Sequence, residues 1–316
     1  MRVGLDVGGT KTDAVAVDDH GIIAGRVRLA TGWGPDAVVQ TVVDAVDRLA
    51  REVRTDAACF RSVGIGIPGQ IEPGTTRVVH AVNLGVDELD LAAAVASRIT
   101  ARVSVENDVK AAALGAHALQ RAVGHADASM AYLNLGTGVA AGIVTEGVLW
   151  RGAHGTAGEV GHISVDPAGP LCRCGQHGCI EAFCGGGSVA ERWGRPGILP
   201  VRDVFDAADA GDPAARALRA GIAHGVASAV RILVLTADVD RVVLGGGLSA
   251  LGERLRADVV ADLQASAEAS AFMRSLRLTE RVDLLPAGSP AAALGAALVG
   301  AQSDDENVEE VVLAHG

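Results

Sequence analysis

His162, Cys172, Cys174 and Cys179 stand in the order H-x9-C-x-C-x4-C, and this is the densest concentration of reactive side chains in the chain. A Cys3His set fills all four positions of tetrahedral zinc and leaves none for water, which marks a structural rather than a catalytic site. Gly175 and Gly178, between the last two cysteines, let the backbone wrap tightly enough to turn the sulfurs inward. The alternatives are incidental small apolar residues or a disulfide pair. Three of the five cysteines fall within eight residues, and the chain shows no secretory pattern, so the spacing points to metal.

A second set of residues has the chemistry to hold phosphate. Asp6-Val7-Gly8-Gly9-Thr10-Lys11 places two glycines, a hydroxyl and a point charge at the tip of an expected hairpin, where backbone N–H groups can approach phosphate oxygens. Asp6 is suited to hold magnesium through water, because that ion takes few carboxylates and keeps several waters. The competing reading is an ordinary glycine turn, and the spacing is neither that of a P-loop nor that of a Rossmann fingerprint. Leu135-Gly136-Thr137-Gly138 forms a matching turn, and Gly245-Gly246-Gly247 follows a short apolar run. Glu106-Asn107-Asp108 closes a strand just before a helix, where α/β folds place ligands; helix capping explains the same triplet equally well.

The elements that carry these residues follow from periodicity. Residues 2–7, 12–17 and about 25–29 read as three strands around the first turn, and 129–135, 139–144 and 147–151 repeat that pattern around the second. Helical spacing covers 36–54 after Pro35, 89–100, 109–120, 211–236 and 291–299, and a further helix starts at Ser249. Short strands are expected at 63–67, 103–105, 241–244 and 282–285. Residues 78–82 form a short apolar run, and Asn83-Leu84 lies in a loop after it.

A length of 316 residues allows a large core and suggests about two domains. Aromatic residues make up only 3% of the chain, so Val, Leu, Ile and Ala must fill that core. A net charge of −11 and a pI near 5.2 argue against electrostatic binding to nucleic acid or an anionic membrane, and a small polar ligand fits better. No signal region and no apolar run of membrane-spanning length is apparent, so a reduced, cytoplasmic location is expected. Lysine occurs only at Lys11 and Lys110, against many arginines.

Taken in order, DVGGTK from Asp6, END from Glu106, LGTG from Leu135, GEVGH from Gly158 and CRCGQHGCIE from Cys172 resemble the ROK family of sugar kinases, within the actin-like, hexokinase-like ATPase superfamily. The similarity extends to about residue 300, and the cysteine stretch is its most specific part. It implies a duplicated actin-like (ribonuclease H-like) α/β fold with two domains around a cleft. The small domain would be residues 1–108 completed by a last helix at about 290–302, the large domain 109–289, and 303–316 an acidic, solvated tail.

The same resemblance implies that Asp108 is the general base toward a sugar hydroxyl. Asn107 would bind the sugar beside it, with Gly69, Asn83, Glu159, His162 and Glu181 lining the sugar site. His162 would ligate zinc through one ring nitrogen and meet the sugar with the other. Asp6, Gly8, Gly9, Thr10, Lys11, Gly136, Thr137 and Gly138 would hold the ATP phosphates with magnesium, and Gly245, Gly246 and Gly247 would lie near the nucleoside. Glucose or N-acetylglucosamine is the expected acceptor, ahead of N-acetylmannosamine, mannose or fructose. Lys110, Ala116 and Val86 depart from the commoner family pattern and bear on the choice of sugar, not on the class. Family habit implies a homodimer or homotetramer. A transcription regulator of the family would carry a winged helix before the first strand, which begins here at Arg2, so that reading is disfavoured, as is an inactive sugar-binding module.

Overall fold

The computed structural model describes residues 1–124, 129–268 and 270–301, so the acidic tail at 303–316 lies outside the described residues. In chain order the first elements are β1 (Arg2–Val7), β2 (Lys11–Val17), β3 (Ile23–Ala30), α1 (Pro35–Glu52), β4 (Ser62–Ile67), β5 (Gln70–Ile71), β6 (Arg77–Ala81), β7 (Val86–Asp90), α2 (Leu91–Val95), β8 (Arg102–Asn107) and α3 (Asp108–Ala122). There follow β9 (Ser129–Leu135), β10 (Val139–Thr145), β11 (Val148–Trp150), α4 (Ile180–Cys184), α5 (Gly186–Trp193), α6 (Pro200–Asp209), α7 (Pro213–Ala237), β12 (Arg241–Gly245), α8 (Glu253–Glu268), α9 (Ala271–Ser275) and β13 (Val282–Leu284). A last helix, α10, spans Ala291–Ala301.

The duplication read from the two glycine turns is present in the sheets. One is ordered β3-β2-β1-β4-β8 and the other β11-β10-β9-β12-β13, the same order counted from each sheet's own first strand. In each, the first strand pairs antiparallel with the second and parallel with the fourth. This is the actin-like α/β topology. A small sheet ordered β5-β6-β7 has no counterpart in the sequence reading. Its last strand takes residues that helical spacing had assigned to a helix over 89–100. Leu89 pairs with Val78 instead, and Asp90 starts α2 by accepting a hydrogen bond from the Ala93 N–H at 3.2 Å. The helix expected from Ser249 is a 3-10 turn, Gly247–Leu251, with α8 beginning at Glu253.

By their contacts the residues form two compact units. Among the described residues the first holds 1–124, 147–157 and 290–301; the second holds 129–146, 158–268 and 270–289. The sequence boundary at 108 falls within the first unit, between β8 and α3. Its core combines Val3, Leu5 and Val7 of β1 with Val63, Ile65 and Ile67 of β4 and the buried face of α1. The second core is built around α7, whose Ile222, Val226 and Val230 meet Leu133, Val242 and Phe205. That helix is the one described element long and apolar enough to cross a membrane, and 56% of its apolar window is buried.

The last helix joins the first unit by backbone contact. A Cβ at Gly64 would lie 1.8 Å from the Ala296 carbonyl oxygen, and one at Gly295 would lie 1.7 Å from that of Ala111. No rearrangement of a flexible side chain relieves such an overlap, because backbone meets backbone. Gly64→Ala is therefore expected to lower stability by roughly 2–4 kcal/mol, the upper range for overpacking. Urea unfolding checks this, and a variant as stable as the parent would contradict the packing.

Candidate functional site

In the first unit the glycine hairpin closes through the Gly8 N–H, which donates to the Lys11 carbonyl at 3.0 Å, while the Thr31 N–H donates to the Thr10 carbonyl at 3.1 Å. Gly9 packs on the Asn83 backbone; a Cβ there would come within 2.9 Å of the Asn83 carbonyl oxygen. The turn tip and the Asn83 segment are therefore neighbours, although 74 residues of sequence separate Gly9 from Asn83.

Asp108 is the first residue of α3 and sits at the end of β8, so its carboxylate gains from the positive end of the helix. Asn107 precedes it as the cap, with its Oδ1 accepting from the N–H groups of Val109 at 3.1 Å and Lys110 at 3.2 Å. Its Nδ2 donates to the Gly69 carbonyl at 3.1 Å. Capping, the alternative left open by the sequence, thus describes Asn107, and the same side chain ties the END turn to the loop at Gly69. Gly69 has φ 106°, and a Cβ would approach the Val79 carbonyl oxygen to 2.8 Å, so the loop needs glycine there. Glu106 Oε1 accepts from the Asn107 N–H at 2.9 Å. The residue is buried and receives the Arg151 guanidinium at 2.6 Å.

Burial first, then the negative charges of Asp108 and Asp13, push the Asp6 carboxyl up to about 7; Lys11 and Arg28 oppose them. A carboxyl so disfavoured as an anion gains from a divalent cation, so the residues fit the magnesium reading of Asp6. The folded chain keeps a proton at Asp6 that the unfolded chain loses above about pH 4. Between about pH 4 and pH 7 the native state therefore binds more protons than the unfolded state, and this group makes stability fall as pH rises. Asp6→Asn should flatten the dependence of Tm on pH across that window. An unaltered slope would contradict the assignment.

In the second unit, Gly136 N–H donates to the Gly138 carbonyl at 3.0 Å, closing the second turn. Gly245 and Gly246 pack on the strand that leads into it. A Cβ at Gly246 would come within 2.6 Å of both the Leu135 carbonyl oxygen and Asn134 Oδ1. Gly245 and Gly246 thus lie beside the strand end that runs into Gly136.

The GEVGH stretch lies directly on β10. Gly158 accepts from the Ala141 N–H at 2.7 Å, and Cβ atoms at Gly158 and Gly161 would fall 1.9 Å and 2.0 Å from the carbonyl oxygens of Ala141 and Val139. Glu159 and His162 sit at the two ends of the resulting 3-10 turn, both exposed. Glu181, in the first turn of α4, accepts from the Val139 N–H at 2.9 Å.

His162, Cys172, Cys174 and Cys179 converge, their ligand atoms all within 4.8 Å of one another. The Cys174 and Cys179 sulfurs are 3.6 Å apart, close to the edge of about 3.8 Å that a tetrahedron of 2.3 Å zinc–sulfur bonds requires. The Gln176 N–H, with help from Cys172, Cys179 and His162, brings the Cys174 thiol down to about 7, and burial pushes Cys179 up to about 12. The knot is tied by backbone bonds, with Cys172 N–H donating to Gln176 O and Ile180 N–H to Ile163 O. Gly178 has φ 68° and abuts the Asp166 carbonyl. The donor set and its spacing fit a structural zinc.

Asp6, Gly8–Lys11, Gly69, Asn83, Asn107 and Asp108 thus belong to the first unit, and Gly136–Gly138, Glu159, His162, Glu181 and Gly245–Gly247 to the second. Sequence reasoning missed the Arg151–Glu106 pair and the Glu181–Val139 bond. Neither has a local signal, since the partners are 45 and 42 residues apart.

Residues 2–302 match the ROK family. The chain is 32% identical over 272 residues to a glucokinase of Halalkalibacterium halodurans, covering 80% of this chain and 82% of that protein. It is 30% identical over 248 residues to an N-acetylmannosamine kinase of Haemophilus influenzae, covering 77% and 79%. The fold superposes with TM-score 0.75 and 28% identity on a ROK family glucokinase from Streptomyces griseus in complex with glucose and AMPPNP, over 95% of this chain and 99% of that one. With the family pattern running nearly end to end over a duplicated actin-like fold, this chain belongs to the ROK family.

Proposed function

We propose that this protein is an ATP-dependent sugar kinase that moves the γ-phosphoryl group of ATP to a hexose hydroxyl, that on C6, with Asp108 as general base. The observation that carries this reading is the placement of Asp108. It is a carboxylate at a strand end and helix start, electrostatically coupled to Asp6 next to a glycine turn, in a chain whose relatives are named sugar kinases. Phosphoryl transfer asks a protein chiefly for alignment and charge placement, and one carboxylate base with backbone donors suffices.

In this reading Asp108 takes the proton of the attacking hydroxyl. Asn107 and Gly69 hold the sugar beside it with Asn83, and Glu159, His162 and Glu181 satisfy further hydroxyls, each of which needs a partner once dehydrated. Gly8, Gly9, Thr10, Lys11 and Gly136–Gly138 receive the phosphates, and Gly245–Gly247 lie near the nucleoside. Asp6 would hold magnesium through water, and when bound that ion neutralises charge on the phosphate oxygens. Cys172, Cys174, Cys179 and His162 would hold zinc, which fixes the loop and leaves the His162 ring in one tautomer.

Glucose or N-acetylglucosamine is the acceptor we favour. The Haemophilus influenzae relative supports N-acetylmannosamine as the second reading, ahead of mannose or fructose. A homodimer or homotetramer in the cytoplasm, with no nucleic acid or membrane partner, completes the reading; light scattering tests the assembly. The function is tested by coupled ADP release over a panel of hexoses and N-acetylhexosamines. One sugar should stand out in kcat/KM, and sugar-independent ADP release across the panel would overturn the assignment.

A further inference from the structure

The segment that begins at Cys179 is bonded to the second glycine turn at three points. Glu181 Oε2 accepts from the Val139 N–H at 2.9 Å, Gly186 N–H donates to the Gly136 carbonyl at 2.9 Å, and Gly187 N–H donates to the Thr137 carbonyl at 2.9 Å. The fit is close. A Cβ at Gly138 would lie 2.6 Å from Glu181 Oε2, and one at Gly186 would lie 2.8 Å from the Gly136 carbonyl oxygen. The Gly136 and Thr137 carbonyls and the Val139 N–H are thus engaged by this segment, while the Gly136 N–H closes the turn on itself.

We infer that Glu181 is a positioning residue for the turn Gly136–Gly138, so that the segment carrying the sugar contact also sets the shape of the nucleotide site. The inference rests on the reading of that turn as a phosphate cradle, and it adds a second duty to Glu181. A carboxylate has two oxygens and about four lone-pair directions. Oε2 is committed to the Val139 N–H, which leaves Oε1 for a sugar hydroxyl. Val139 is the first residue of β10, directly after the turn, so a fixed Val139 N–H fixes where the glycine amides point. With Glu181 removed, the Val139 N–H loses a charged acceptor, and the turn is tied to this segment only by its two remaining bonds to Gly186 and Gly187.

The test is calorimetric titration of the full chain with Mg-AMPPNP in the absence of sugar, for the parent, Glu181→Ala and Glu181→Gln. Glu181→Ala should weaken nucleotide binding by roughly ten-fold or more, the size of one hydrogen bond to a charged acceptor. Glu181→Gln keeps an oxygen for the Val139 N–H, so its nucleotide affinity should stay within about two-fold of the parent. Its sugar affinity should nonetheless fall, because the charged acceptor is gone. Thermal melts identify a variant that fails to fold, and Glu181→Gln then carries the comparison through its split between the two ligands. Parent-like nucleotide binding by a folded Glu181→Ala overturns the inference and leaves the kinase reading intact, as does equal loss of nucleotide affinity in both variants. A parent that binds no Mg-AMPPNP overturns the phosphate-turn reading itself, and the inference falls with it.

Discussion

Asp108→Asn is expected to lower kcat by a factor of about 10² to 10⁴ while sugar affinity stays near that of the parent. The substitution keeps the size and shape of the side chain and removes its charge and its capacity to accept the proton. Asp108 Oδ1 accepts from the Val109 N–H at 2.9 Å, and the amide oxygen of Asn can take over that bond. Asn107 caps α3 through its own Oδ1, and its Nδ2 holds the Gly69 carbonyl, so the END turn keeps its shape. Loss of one negative charge also relieves Asp6, whose carboxyl Asp108 helps to push up, and its titration should move back toward the ordinary carboxylate range. Steady-state ADP release measures the first effect and calorimetry with sugar the second. A variant that still turns over at the parental rate removes Asp108 from its role as base.

Cys179→Ser is expected to abolish zinc binding and to reduce sugar affinity by at least about ten-fold. Cys179 is fully buried, ends the metal loop and immediately precedes α4, so the same residue closes the knot and sets where Glu181 starts. Serine offers a poor zinc ligand, and three remaining donors leave the tetrahedron open. The free energy of metal binding is then lost to the fold, a cost on the order of several kcal/mol. Because His162 and Glu181 flank the knot, the sugar contacts assigned to them loosen together. Zinc stoichiometry by chelator release, Tm and sugar titration follow the three effects. A parent purified without zinc, or a variant that retains one equivalent, would contradict the role of the loop.

The parts of this architecture that are legible in the sequence are those with short-range signatures. The Cys3His spacing is specific because all four ligands lie within 18 residues, so local chain geometry restricts what else they can do. The glycine turns are legible because alternating apolar residues flank them on both sides, and the sheets repeat in the order that those turns imply. The helix read over 89–100 is present but shorter, Leu91–Val95, because Leu89 and Asp90 belong to β7, and the pairing of Leu89 with Val78 depends on a partner strand that periodicity does not identify. The small sheet β5-β6-β7 was missed for the same reason, with strands as short as two residues. Asn107 shows the opposite limit. Capping and ligand binding require the same residue type at the same position, and only the geometry shows the cap.

The candidate site follows the same division. Its individual groups, Asp6, Asp108, the glycines and the Cys3His set, were nameable from residue type and order. The bonds that hold them, Asn107 to Gly69 and Glu181 to Val139, span 38 and 42 residues and are set by the fold alone. Those long-range bonds decide rigidity, and rigidity decides whether a carboxylate at a helix start acts as a base or only as a surface charge.

The most direct test is ³¹P NMR of the full-length protein incubated with ATP, magnesium and, in turn, glucose, N-acetylglucosamine and N-acetylmannosamine. The account predicts a new phosphomonoester resonance, coupled to the C6 protons of one sugar and growing in step with ADP. Release of ADP with inorganic phosphate alone, or no turnover with any hexose or N-acetylhexosamine, would contradict it.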